Sequence, residues 1–254
     1  MDLQVPSATL AALLLATVRA TGFIVMAPPF NSGSIPAPAK GALALALSLV
    51  AFPHLVDTMP EITAGFLVVT VLTEAVIGAA LGFIVQVFFT AVQLAGDIID
   101  VTGGFSLQPA YDPLSLSTQG VIGRLHYLLA ITLMFTSGAH LLLVRGFVTS
   151  YEGLPLGGAL PADQLGPTLL TAFSMMFLAA LQIAGPLVAV LLLADVALAL
   201  LSKAAPALNI FALGFPVKIM ISLTLLGLTF PLLPPALDAL MDTALRAMTS
   251  LEGS

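Results

Sequence analysis

The sequence predicts an all-α membrane protein with about six hydrophobic elements. Of its 254 residues, 59% are hydrophobic and 8% are charged, and the mean hydropathy is +1.12. Soluble domains average roughly 25% charged residues, so this chain cannot cover a soluble globule with polar surface. The formal net charge of −6 comes from scattered acids, which gives no sign of nucleic-acid binding. Cysteine is absent, which excludes disulfides and cysteine-based metal sites.

The first two elements are predicted from apolar runs that end at prolines. The first runs from about Ser7 to Met26, and Pro28 and Pro29 follow it. Asp2 lies where a signal peptide needs positive charge, so this helix is expected to stay with the protein. The second element runs from about Lys40 to Phe52.

The third element, from about Ile62 to Gly96, is too long for one upright membrane span. Its one charged residue is Glu74. At 1.5 Å per residue it would be about 52 Å long, against a bilayer core of about 30 Å. We therefore expect this helix to kink, tilt strongly or project from the membrane.

The later elements are also long and broken by glycine or proline. One helix is predicted from about Thr118 to Val148. Another, from Leu165 to Lys203, is interrupted at Gly185-Pro186, and the last, from Ile210 to Leu240, is broken at "FPLLPP" before an amphipathic tail. These patterns predict kinked helical hairpins in a single domain, 1–254, with the N-terminal hairpins at about 1–160 and the C-terminal hairpin region at about 161–254.

Small and polar residues recur along one side of the third element. If the helix is continuous through residue 100, they fall within an arc of about 140°; they are Glu74, Gly78, Gly82, Gln86, Gln93, Asp97 and Asp100. Gly78 and Gly82 form a G-x-x-x-G motif, which lets another helix approach closely. This face is either a tightly packed seam between helices or a surface toward a water-filled path or a neighbouring subunit.

Three charges, those of Arg19, Glu74 and Asp195, occur within or near apolar runs. A charge at the bilayer centre costs about 2.5–3.5 kcal/mol on insertion scales, so it normally faces protein or water. We expect structural ion pairs or contacts between subunits, with a proton relay as the alternative.

The sequence contains no convincing set of catalytic groups. His126 and His140 lie about 21 Å apart if they share one helix, which is too far to bind one metal ion. Ser137 and His140 are close in sequence, but no orienting acid accompanies them. The sequence therefore predicts a protein that is not an enzyme and that needs no cofactor.

Several stretches together resemble the FliR family of type III export-gate membrane proteins, from about Arg19 to Leu237. The matching pieces occur in the family's order: "APPF" and "IPAPAKGALALALS", "EAVIGAALGFIVQ" and "AVQLAGDIID", "GGFSLQPAYDP", and "LLSKAAPALNIFALGFPVK". Two positions depart from the family's pattern. Asp97 stands where Glu is usual, and Ala139 separates Gly138 from His140.

The resemblance implies a structural subunit that resembles a fusion of two companion proteins, FliP and FliQ, in a helical assembly with a central channel. The implied partners are FliP-like and FliQ-like subunits, an FlhB-like protein, the basal-body ring and unfolded secreted proteins. The implied location is the bacterial inner membrane at the flagellar basal body. Two alternatives stay open: an injectisome subunit of the same family, and a proton-coupled secondary transporter using Glu74 and Asp195.

The resemblance also assigns roles to three groups of residues. Sequence alone favours a surface loop at 103–117, whereas the family implies a channel plug, formed here by Gly103, Gly104, Phe105, Ser106, Leu107, Tyr111, Asp112 and Pro113. Helix packing or a lumen face is expected of Arg19, Glu74, Gly78, Gly82, Gln86, Gly96 and Asp97. The C-terminal signature, with a helix break that shapes the hairpin, comprises Pro206, Asn209, Phe211, Gly214, Phe215 and Pro216.

Overall fold

The computed structural model describes residues 7–54, 63–105, 120–158, 162–207 and 209–250, and within them the fold is helical throughout. The α-helices are α1 (Ser7–Met26), α2 (Ala37–Ala51), α3 (Ala64–Gly103), α4 (Val121–Ser137), α5 (Ala139–Gly153), α6 (Ala162–Ala204), α7 (Ile210–Thr229) and α8 (Leu233–Ser250). Short 3-10 turns occupy Phe52–His54 and Phe230–Leu232. The predicted all-α class is confirmed.

Four stretches of the described residues are long and apolar enough to cross a membrane. They are Thr9–Met26, Gly65–Gly103, Asp163–Ala204 and Ala212–Thr249. Helices α4 and α5 together would make a fifth span, and α2 is apolar but shorter. The prediction of an all-α membrane protein with long helical elements is therefore confirmed.

The chain packs as two compact units, and α3 contributes to both. The first unit comprises Met1–Phe88, Phe135–Phe173 and Leu240–Ser254, and the second comprises Phe89–Met134 and Ser174–Ala239. In the first unit, Phe23 of α1 and Phe147 of α5 are buried with their ring centroids 5.1 Å apart. The expected organisation as one domain with hairpins that divide near residue 160 stays a prediction.

A break at Gly138 divides what the sequence predicted as one helix from Thr118 to Val148. Gly138 has φ 79°, in the left-handed region where only glycine fits without strain, so α4 ends at Ser137 and α5 begins at Ala139. His126 and His140 consequently lie on different helices, so the prediction of one shared helix is wrong and the distance derived from it does not apply. The His126 ring nitrogen Nδ1 lies 3.0 Å from the Ile122 carbonyl oxygen of its own helix.

Helix α6 runs through Gly185-Pro186 without the predicted interruption. A proline removes one backbone N–H from the helical ladder, and membrane helices tolerate this loss better than soluble ones do. The predicted break at "FPLLPP" is confirmed, because α7 ends at Thr229 and a 3-10 turn precedes α8.

Candidate functional site

Arg19 of α1 is the centre of a buried polar cluster in the first unit. Its Nε donates to Glu74 Oε2 of α3 at 2.5 Å, and both side chains are 0% exposed. Nη1 lies 3.3 Å from both the carbonyl oxygen and the Oγ of Ser150, and Nη2 donates to the Leu154 carbonyl oxygen at 2.8 Å. Buried charges are tolerated when they are paired and hydrogen-bonded, and Arg19 is both.

Two further residues complete this cluster. The Arg19 guanidinium lies over the Tyr151 ring, 4.1 Å from its centroid, and the Tyr151 hydroxyl donates to the Ala16 carbonyl oxygen at 3.2 Å. The Gly157 backbone N–H donates to Glu74 Oε1 at 3.4 Å. One guanidinium and one carboxylate therefore connect α1, α3, α5 and the turn after α5. Sequence reasoning missed Ser150, Tyr151 and Leu154.

Glycines bring the backbones of α1 and α3 into direct contact next to this cluster. A Cβ on Gly78 would overlap the Arg19 carbonyl oxygen, and one on Gly82 would lie 2.5 Å from the Phe23 carbonyl oxygen. From the other side, a Cβ on Gly22 would lie 2.8 Å from the Ala75 carbonyl oxygen. The G-x-x-x-G face thus meets α1 in the described structure, as expected for a packed seam.

Gln86, two turns beyond Gly78, contacts the turn after α1. Its Oε1 accepts a hydrogen bond from Asn31 Nδ2 at 2.8 Å, and the same nitrogen donates to the Met26 carbonyl oxygen at 3.1 Å. Lys40 Nζ donates to the Asn31 carbonyl oxygen at 3.1 Å. These contacts fix the chain between α1 and α2 on the same face of α3.

The remaining part of the polar face of α3 contacts the first turn of α4, in the second unit. Asp100 is 2% exposed, and its Oδ2 accepts from the backbone N–H groups of Ile122 and Gly123, each at 3.0 Å. A Cβ on Gly96 would lie 2.6 Å from the Gly123 Cα.

Asp97 interacts with the Gln93 side chain and the Gly120 backbone N–H. Its Oδ1 is buried with no hydrogen-bond partner among the described residues.

Of the expected plug residues, three are described. Gly103 ends α3, and a Cβ on it would lie 2.5 Å from Ser222 Oγ of α7. Gly104 has φ 85°, and a Cβ there would lie 3.0 Å from the Phe215 ring. Phe105 follows in a single 3-10 position. The others lie outside the described residues: Ser106, Leu107, Tyr111, Asp112 and Pro113.

The C-terminal signature surrounds the turn between α6 and α7. Pro206 lies in that turn, and the Asn209 side chain accepts from the Ala212 backbone N–H at 3.2 Å, which caps α7. Phe211, Gly214, Phe215 and Pro216 lie within α7 rather than between helices. Pro216 is the seventh residue of α7 and lies inside the helix, so it removes one backbone N–H from the helical ladder.

A second ion pair joins α6 and α7. Lys218 Nζ lies 2.8 Å from Asp195 Oδ1 and 3.0 Å from Oδ2, with the two side chains 15% and 48% exposed. Exposed apolar residues surround it along the same helices, among them Leu193, Val196 and Val217. Asp195 and Lys218 therefore neutralise each other on an otherwise apolar surface.

The described residues offer no arrangement that suggests a metal centre. Within those ranges, no three His, Asp or Glu side chains lie close enough to share a metal ion. His140 is separated from Ser137 by the Gly138 break, and its ring packs against Phe135 with centroids 5.0 Å apart. The polar groups that come together here hold helices to one another.

Fold and site thus define an all-α membrane protein whose buried polar residues organise close helix packing. Residues 10–244 match the family described as "Bacterial export proteins, family 1", and the chain belongs to that family. It is 32% identical over 225 residues to the flagellar biosynthetic protein FliR of Escherichia coli K12, covering 89% of this chain and 86% of that protein.

Two further relatives are similar over most of the chain. FliR of Bacillus subtilis is 32% identical over 220 residues, covering 85% of this chain and 84% of the relative. The surface presentation of antigens protein SpaR of Salmonella typhimurium is 30% identical over 228 residues, covering 87% and 86%. The family resemblance predicted from the sequence motifs is confirmed.

Proposed function

We propose that this chain is a structural subunit of the flagellar type III protein-export gate in the bacterial inner membrane. The observation that carries the proposal is the nearly full-length similarity to FliR proteins, together with the family match over residues 10–244. The subunit acts without a cofactor or catalytic step. It contributes helices to a channel through which unfolded flagellar proteins pass.

Its partners are FliP-like and FliQ-like subunits, with an FlhB-like protein and the basal-body ring beside them. Large apolar side chains remain exposed along α6 and α7, including Leu170, Leu193, Leu200 and Met220. Such a surface is typical of a chain that is surrounded by lipid or by other membrane subunits.

Residues 103–117 serve as the channel plug in this proposal. Support comes from the family resemblance of "GGFSLQPAYDP" and from the close packing of Gly103 and Gly104 against α7, which fixes where the segment begins. The aromatic and apolar side chains of the segment are suited to blocking a narrow lumen.

The first test is the native mass and composition of the complex extracted from host membranes in mild detergent. We expect a large assembly that contains two other small hydrophobic proteins. A chain that is stable and functional alone, or as a small homo-oligomer, would contradict the gate and favour the secondary transporter. The second test is deletion of Ser106–Ser115, which should make membranes with an assembled gate leak ions.

An injectisome gate that delivers effector proteins is the second candidate, and the similarity to SpaR supports it. Deleting the chromosomal gene separates the two. Loss of flagella and swimming is expected for the flagellar gate, whereas loss of effector secretion with normal swimming would favour the injectisome. The transporter is less well supported, because Glu74 and Asp195 are each engaged by a basic side chain within the chain.

A further inference from the structure

Helix α7 is by itself as long as a membrane core is thick. Its 20 residues extend about 30 Å at 1.5 Å per residue, which matches the hydrocarbon core. Its surface suits that position, because large apolar side chains are exposed along it, among them Leu213, Met220, Leu223 and Leu228. The apolar stretch Ala212–Thr249 nevertheless continues through the 18 residues of α8. One crossing of the membrane therefore does not need α8.

Helix α8 has the opposite kind of surface. All of its large apolar side chains are buried or half-buried; they are Leu233, Leu237, Leu240, Met241, Leu245 and Met248. Its exposed positions include Asp238, Asp242, Arg246 and Thr249, which we call the outer face. Asp242 and Arg246 are four residues apart, the spacing at which an acid and a base support a solvated helix. Helix α8 thus turns its apolar side inward and its charges outward.

The apolar side of α8 is occupied by the chain itself. A Cβ on Gly146 of α5 would lie 2.8 Å from Leu245 Cδ1 and 3.3 Å from Met248 Cε. An amphipathic helix can also lie on a bilayer with its apolar side in lipid. Here that side packs against α5, which exposes the charges of Arg145 and Glu152 on its own surface. Lipid is therefore not needed to cover the apolar side of α8.

The charges of the outer face need water. An ionised side chain within a membrane normally pairs with an opposite charge or faces water. On α6 and α7 the pairing is made, because Lys218 lies 2.8 Å from Asp195. Within the described residues, the charges of Asp242 and Arg246 form no ion pair, and Arg246 reaches only the Thr243 hydroxyl, at 3.4 Å. Solvation by water is what remains to stabilise them.

We propose that α8 lies outside the hydrocarbon core with its outer face in water, so that α7 alone makes the last crossing and the turn Phe230–Leu232 marks where the chain leaves the core. The inference does not rest on the proposed function, and it applies equally to a flagellar gate and to an injectisome gate. The outer face carries charges of both signs and no large apolar side chain, which suits water rather than acyl chains.

The absence of cysteine from the sequence allows a test by single-cysteine labelling. Asp242→Cys and Arg246→Cys are each treated with a membrane-impermeant maleimide in frozen and thawed host membranes, where the reagent reaches both sides. Leu223→Cys is the matched control, because this side chain is 56% exposed on α7 but should face lipid or another membrane subunit. Maleimides react with thiolates, which form in water and not in hydrocarbon. Both α8 variants should therefore be labelled at least about tenfold faster than the control.

The same variants are labelled again after denaturation, when every cysteine should react. Slow labelling of both α8 variants in membranes, with full labelling after denaturation, would overturn the proposal and place the outer face in lipid or against another subunit. Labelling of Leu223→Cys as fast as the α8 variants would overturn the boundary at Phe230–Leu232. If neither α8 variant assembles into the native complex, Thr249→Cys replaces them, since it changes a small neutral side chain of the outer face. Failure of all three to assemble would also overturn the proposal, because a helix face in water tolerates such exchanges.

Discussion

The two ion pairs found among the described residues show opposite uses of the same chemistry. Arg19–Glu74 is fully buried, and its remaining hydrogen-bonding groups are met by Ser150, Leu154 and Gly157 of the same unit. Asp195–Lys218 is partly exposed among apolar side chains. The first pair organises the interior, where removal of one partner leaves an isolated charge. The second neutralises charge on a surface that meets the chain's surroundings.

The largest effect is expected from Glu74→Gln. Removing one partner of a buried ion pair costs about 3–5 kcal/mol, because the Arg19 charge stays buried without compensation. We expect little folded protein and loss of the chain from the native complex, measured by thermal unfolding in mild detergent and by co-purification. Normal stability and assembly combined with loss of export would contradict a structural role and revive proton coupling at Glu74.

The variant Gly78→Ala tests the backbone contact between α1 and α3, next to the Arg19–Glu74 pair. The new Cβ would overlap the Arg19 carbonyl oxygen, so α1 and α3 must separate, and overpacking of this kind costs about 1–3 kcal/mol. Gly227→Ala in α7 is the matched control, because open space surrounds that position and no proline directly follows it. The control should keep or raise the unfolding temperature, since alanine favours helix. Equal behaviour of the two variants would mean that α1 and α3 are not in backbone contact.

A smaller effect is expected from Asn209→Ala, in the turn between α6 and α7, the two helices that carry the Asp195–Lys218 pair. The substitution removes the cap that Asn209 provides to the Ala212 N–H, which is typically worth about 1 kcal/mol. We expect a modest fall in the unfolding temperature in detergent, and Asn209→Asp should largely preserve it. An unchanged unfolding temperature in the alanine variant would show that α7 does not depend on this cap.

The smallest effect is expected from Asp195→Asn, the acid-to-amide counterpart of Glu74→Gln. Exposed ion pairs contribute about 0–1 kcal/mol, so the isolated chain should unfold at nearly the same temperature. A loss of stability comparable to that of Glu74→Gln would remove the contrast between the two pairs. Normal stability with poor recovery of the native complex would strengthen the contrast between the two pairs, because the exposed pair would then act at a contact with another subunit.

Local patterns in the sequence predicted much of the fold. The bounds of α1, the break at Phe230 and the small-residue face of α3 follow from apolar runs, prolines and helical spacing. The G-x-x-x-G motif indicated a close helix contact, and the structure supplies α1 as the partner. These features depend on residues that are near one another in the chain.

The contacts that define the site could not be predicted in the same way. Arg19 meets Ser150 and Leu154 across more than a hundred residues, through a carbonyl oxygen that any residue type would provide. The cap that Asp100 provides to α4 could not be predicted from the sequence either, because its donors are backbone N–H groups. Gly138 broke a helix and Gly185-Pro186 did not, although both sequences contain a helix-weakening residue. That difference depends on backbone conformation rather than residue type.

The Gly138 break has a consequence for how the chain enters the membrane. At 1.5 Å per residue, α4 and α5 extend only about 26 and 22 Å, so neither arm crosses a hydrocarbon core of about 30 Å upright. The insertion machinery releases segments into lipid when they are long and apolar enough to be stable there individually. These two arms instead contact helices that precede them in the chain, since Phe147 of α5 packs against Phe23 of α1 and the first turn of α4 donates to Asp100 of α3. Stable insertion of this region therefore depends on helices that have already been made.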